Sequence, residues 1–146
     1  METTERIERN HFRSSASIGS LAAALAKAQG EIKGAVKDST NPFFKSKYAD
    51  LASVRDACSG PLSANGLSVI QFPRATEGGV EVETLLCHAS GEWVSETLTM
   101  PVAKSDAQGV GSAITYARRY ALASFVGVAP EDDDGNAAAA SAKNLR

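Results

Sequence analysis

The stretch Gly109–Gly127, GVGSAITYARRYALASFVG, decides the fold, because it is a long helical period standing directly after a run of strands. Wound at about 100° per residue, it divides into stripes. Val110, Ile114, Ala117, Ala121 and Phe125 fall on an apolar stripe that should face a sheet. Gln108, Ser112, Thr115 and Arg119 fall on a separate polar stripe, with Tyr116 and Tyr120 one turn apart beside it. Arg118 lies at the margin of the apolar stripe, near Leu122. Ser105-Asp106-Ala107-Gln108 has the Ser-x-x-Gln form of a capping box, so the helix begins there. Gly127 tolerates the left-handed conformation that ends it.

Upstream of this helix the period changes to two. Leu67–Pro73, Val80–His88 and Trp93–Met100 read as strands, with Ala-Ser-Gly-Glu as the turn between the last two. Val80, Val82, Thr84 and Leu86 share a face, and the alternates beginning with Glu81 and Glu83 point outward. Earlier still, Ile18, Leu21, Leu25, Ala28 and Ile32 recur at three and four, marking an amphipathic helix from Ser17 that ends at Gly34. Leu51, Val54, Cys58 and Leu62 mark a second helix, which Pro61 should kink or divide and Asn65-Gly66 closes. The fold class is α+β, a three-stranded antiparallel β-meander packed on a long helix, with two helices before it. Residues 1–16 read as a loose arm, 17–128 as one core domain, and 129–146 as an acidic, alanine-rich tail without a packing pattern.

The formal net charge of −2 by itself argues against a nucleic-acid binder, but its distribution does not. Glu77 to Glu96 holds five acids and no Lys or Arg, and Glu131 to Asp134 adds four more. The rest of the chain sets 15 bases against the other eight acids, so a large part of it is cationic. Cys58 and Cys87 are too few for a disulfide framework, and with only His11 and His88 no tetrahedral metal site can be assembled. No metal and no cofactor are expected. The same two histidines offer no hydrolytic constellation, so an enzyme is not expected either. No apolar run approaches the roughly 20 residues of a membrane span, and no signal peptide opens the chain, which places the protein in the cytoplasm.

Two clusters carry the functional reading. In the long helix, Arg119 stands in a lane of hydroxyls and an amide, which suits a phosphate backbone, and Tyr116 and Tyr120 offer ring faces to bases. Arg118 is counted among the expected DNA contacts as well, although its place at the margin also fits an ion pair or a subunit contact, and the whole Tyr-Ala-Arg-Arg-Tyr string is compatible with an ordinary solvated helix face. The second cluster is NPFFKSKYADL, Asn41–Leu51, where Phe43, Phe44 and Tyr48 interleave with Lys45 and Lys47 in a Pro-broken loop. Lysines that track phosphates and rings that stack bases are a footprint of single-stranded nucleic acid. Phe43 and Phe44 equally fit as anchors of the loop in the core. Gln71 of the first strand completes the set of expected DNA contacts.

The blocks NPFFKSKYADLASV, GPLSANGLSVIQ and GVGSAITYARRYALASFVGV, followed by DDDGNAA, closely resemble the Erf (essential recombination function) family of phage single-strand annealing proteins. The likeness runs from about Ser17 to Ala138. It implies a protein that coats single-stranded DNA as a homo-oligomer, often a ring, and pairs complementary strands without ATP or a catalytic metal in a bacterial host. It carries Arg119, and with it Lys45, Lys47 and Tyr48, across as DNA-binding positions. Longer family members extend into a region expected to meet a host single-strand-binding protein or a phage exonuclease. The acidic meander should then face away from the DNA or meet a basic face on the next subunit. A coating protein that does not anneal, and a structural oligomer with an acidic protein partner, are the alternatives.

Overall fold

The computed structural model describes residues 12–38 and 51–128. In chain order it contains β1 (Arg13–Ser14), α1 (Gly19–Asp38), α2 (Leu51–Ala64), β2 (Leu67–Thr76), β3 (Gly79–His88), β4 (Trp93–Pro101) and α3 (Ala107–Val126). The sheet is antiparallel in the order β1-β4-β3-β2. The β-β-β-α core expected from the sequence is therefore present, with two helices before it. A fourth strand, β1, extends the meander from a segment that the sequence pattern places in the arm. Its two residues carry no apolar period of their own. They are fixed by pairing with Val94 and Ser95 of β4, and by the Ser15 hydroxyl accepting from the Trp93 N–H at 2.9 Å.

Strand alternation sorts the sheet into two faces. Val80, Val82, Thr84 and Leu86 of β3 are all buried, and they face the helices. Register places Gln71 and Val69 of β2, and Leu98, Glu96 and Val94 of β4, on that same side. Helix α3 lies on it through Ala117 and Ala121, whose small side chains let the helix approach β3 closely. Leu21, Ala28 and Ile32 of α1 meet Val54, Ala57, Cys58 and Leu62 of α2, together with Leu86, Leu122 and Val126, in one continuous core. Burial of the Cys58 thiol there pushes its pKa up, since the charged form would be poorly solvated.

The helix ends follow some of the local signals and depart from others. Gly127 adopts φ 79°, and both its N–H and that of Val128 bond the Ala123 carbonyl, as in a Schellman-type stop. The start of α3 is shifted by one residue from the expected Ser105. Asp106 is the cap, its carboxylate accepting from the Gly109 N–H at 2.6 Å. A side chain at Gly109 would run into the Lys104 carbonyl, so that glycine serves the turn into the helix. Helix α1 continues past Gly34 to Asp38, a glycine inside a helix costing only about 1 kcal/mol. Helix α2 is not divided at Pro61, which removes one ladder donor near the C-terminal end of the helix. Asn65 then closes α2, its side-chain amide bonding the Pro61 carbonyl at 2.7 Å.

Three of the five acids of the meander have partners elsewhere in the fold. Glu81 and Glu83 project from the face of the sheet opposite α3, where Arg74 pairs with both. The Ser95 hydroxyl and Arg74 hold the Glu83 carboxyl below its ordinary pKa. Glu92 reaches from the β3–β4 turn to the start of α1, accepting from the Leu21 N–H and the Ser17 hydroxyl, each at 2.8 Å. Those donors, the Leu21 N–H first, lower its pKa. No helix among the described residues is long and apolar enough to cross a membrane.

Candidate nucleic-acid interface

Helix α3 carries its charge on its flanks because its centre, Ala117 and Ala121, is buried against β3. The residues beside those alanines then point along the sheet surface on either side. On one flank, Tyr116 and Tyr120 pack one turn apart with their rings tilted by 50° and ring centroids 4.7 Å apart, and the Tyr116 hydroxyl donates to that of Tyr120 at 3.1 Å. The Arg119 guanidinium lies 4.7 Å from the centre of the Tyr116 ring and 5.2 Å from that of Tyr120. Both distances are within cation–π range. The half-buried arginine is thus held by two aromatic faces, while the two tyrosine residues stay 44% and 49% exposed. That exposure decides what the rings can still do, since each retains surface for a ligand.

Arg119 opens onto a groove of about 570 Å³ whose walls include Gln108, Ser112, Thr115 and Tyr116. The polar lane drawn from the helical period is therefore assembled in space. The Thr115 hydroxyl donates to the Gly111 carbonyl, which orients its lone pairs away from the helix. Leu51, the first residue of α2, lies on the same groove. Tyr116 also borders a second hollow, of about 400 Å³, shared with Tyr120, Leu98, Met100, Phe125 and Glu96. The tyrosine pair stands between a polar lane and a largely apolar recess.

The other expected residues are distributed differently. Arg118 points to the opposite flank of α3, onto a groove of about 360 Å³ that it shares with Arg55, Ser59 and Ser68. Gln71 lies on that groove too, and not in the Arg119 lane. Its amide nitrogen donates to the Thr84 hydroxyl at 3.1 Å and to the Arg118 carbonyl at 3.0 Å. Phe43, Lys45, Lys47 and Tyr48 lie outside the described residues. Arg55 is absent from the residues expected from the sequence, although it stands at helical spacing with Cys58, Ser59 and Leu62 beside the apolar stripe of α2. Among the described residues no three metal-ligating side chains come together.

A family comparison gives this arrangement its context. Residues 21–145 match the ERF superfamily. The chain belongs to the ERF superfamily. The match begins in the first turn of α1, takes in α2, the meander and all of α3, and runs on to residue 145, so the Arg119 lane and the Arg118 groove both lie within the ERF region. ERF membership supports a general role in phage single-strand annealing and recombination. No curated protein and no solved structure matches the chain.

Proposed function

We propose that this ERF protein binds single-stranded DNA along the Arg119 flank of α3 and anneals complementary strands as a homo-oligomer, without ATP or a catalytic metal. The observation that carries the reading is the arginine clasped by two exposed tyrosines at the junction of a polar lane and an apolar recess. A nucleotide needs both environments. Its phosphate takes a planar cation and neutral donors, and its base takes an aromatic or apolar surface. Tyr48, Lys47 and Lys45 precede Leu51 by three, four and six residues. Extended chain therefore limits them to about 11, 14 and 22 Å from that wall of the lane, within reach of one bound strand. Two carboxylates of the meander support the same placement, because Glu81 and Glu83 sit on the other face and are paired with Arg74, while Glu96 lines the recess on the α3 side.

The mechanism is physical. Arg119, Lys45 and Lys47 neutralise phosphates along one strand and so reduce the repulsion met by a second. The rings hold the bound strand while base edges stay available. Repeating a weak site through an oligomer multiplies its affinity by avidity. Size-exclusion light scattering, together with oligonucleotide binding measured across a range of salt, tests the two halves of this reading. A monomer, or a salt-independent affinity, overturns it.

A further inference from the structure

The groove on the opposite flank of α3 is chemically distinct from the Arg119 lane. Two guanidiniums, Arg55 from α2 and Arg118 from α3, line it together with the hydroxyl residues Ser59 and Ser68 and with Gln71 of β2. No carboxylate lies on its walls among the described residues. The ion pairs among those residues are those of Arg74, so neither Arg55 nor Arg118 is neutralised there. Arg55 is also close enough to act electrostatically on the buried Cys58 thiol in the groove wall, favouring its charged form against the effect of burial. A half-buried arginine with no ion pair among the described residues, lining one cleft with an exposed second arginine, is a site for an anion.

Gln71 adds an acceptor to the groove. The Arg118 carbonyl can only accept, so the Gln71 amide must turn its NH2 end toward it. The same nitrogen also serves Thr84, which leaves the Gln71 carbonyl oxygen as an acceptor beside the two cations. An acidic peptide would meet that oxygen with a backbone N–H, whereas a chain of the ERF superfamily is expected to meet a nucleotide. A nucleotide presents a phosphate to the arginines and a base amino group or ring N–H to the acceptor.

We infer that the Arg55–Arg118 groove is a second nucleic-acid site, in which both guanidiniums hold the phosphodiester backbone and the Gln71 carbonyl meets a base. It rests on the reading of the chain as a single-strand binder, and adds that α3 separates two backbone-binding grooves. A protein that pairs strands gains from two such tracks, since a second segment is held near the first without displacing it.

The test is the salt dependence of oligonucleotide binding for the wild type, for Arg55→Gln/Arg118→Gln and for Arg119→Gln. For a single strand, the slope of log K against log salt falls by about 0.7 for every phosphate that is no longer neutralised. The double variant should therefore be shallower by about 0.7 if both arginines share one phosphate, and by about 1.4 if each holds its own. Arg55→Lys/Arg118→Lys keeps the charges and should keep the wild-type slope, which separates loss of the site from loss of the fold. Gln71→Leu should alter preference among homopolymeric oligonucleotides while leaving the slope unchanged. A double variant with the wild-type slope, alongside a lowered slope for Arg119→Gln, overturns this inference and leaves the Arg119 reading standing. A wild type that binds no oligonucleotide overturns both. Loss in the double variant of binding to a synthetic peptide of residues 129–146, with the DNA slope unchanged, would assign the groove to an acidic protein segment and refute the proposal.

Discussion

Replacing both tyrosines of the α3 flank, Tyr116→Leu/Tyr120→Leu, removes the two ring faces that hold the Arg119 guanidinium at 4.7 and 5.2 Å. Each cation–π interaction at such an exposed site contributes about 0.5–1 kcal/mol, so together they favour the held position of the arginine by about 1–2 kcal/mol. If that position is the one that meets a phosphate, the variant binds single-stranded DNA about 5- to 30-fold more weakly. Fluorescence anisotropy with a labelled oligonucleotide at fixed salt reads this directly. Tyr116→Phe/Tyr120→Phe keeps the rings and removes only the hydroxyl pair, so its affinity should fall much less. The competing role for the rings is stacking of bases in the recess beside Leu98 and Met100, and a double-mutant cycle separates the two. Against an Arg119→Gln background the leucine substitutions should cost little more, because their effect passes through the arginine. Full additivity would refute the positioning role and leave stacking as the function of the rings. Wild-type affinity in the leucine variant would refute both.

Three further outcomes follow from the fold. Leu86→Ala, at a site 1% exposed in the centre of the core, should lower the unfolding free energy by about 2–5 kcal/mol in urea titrations. Gly127→Ala should cost about 1 kcal/mol or more, seen as a lowered Tm, because the position holds φ 79° and a methyl group would press on the Gln29 amide. Glu83 and Glu92 titrate lower in the folded chain than the ordinary glutamate value of about 4.3. The unfolded chain therefore binds more protons between those values. Their stabilisation is present in full above about pH 4.3 and is lost as pH falls through the folded values, so the urea midpoint should drop there. Glu92→Gln should flatten that drop.

Much of the fold is legible because burial repeats at the period of the backbone. Val80, Val82, Thr84 and Leu86 announce a strand face by alternation alone, and Ala117 with Ala121 announces the buried line of α3. The polar lane of Gln108, Ser112, Thr115 and Arg119 follows from the same arithmetic, since all four lie on one helix. What is not legible depends on a partner distant in the chain. β1 exists because β4 offers an edge, not because Arg13-Ser14 has a pattern. The cap of α3 is chosen between two adjacent polar residues by a single hydrogen bond to Gly109. Glu92 looks like one acid among five in the meander, yet it closes the start of α1. The helical period already sets Arg118 and Arg119 on different stripes, but that Arg118 shares a groove with Arg55 depends on the packing of α2 beside α3 and is not legible in either helix alone.

The most direct test is fluorescence-monitored annealing of two complementary oligonucleotides, without nucleotide or divalent metal, by the wild type and by Arg119→Ala. Acceleration by the wild type, abolished in the variant while its oligomeric state and melting curve are unchanged, is the predicted result. A wild type that binds the strands but slows their pairing would contradict the annealing function, and an Arg119→Ala variant that anneals at the wild-type rate would contradict the site.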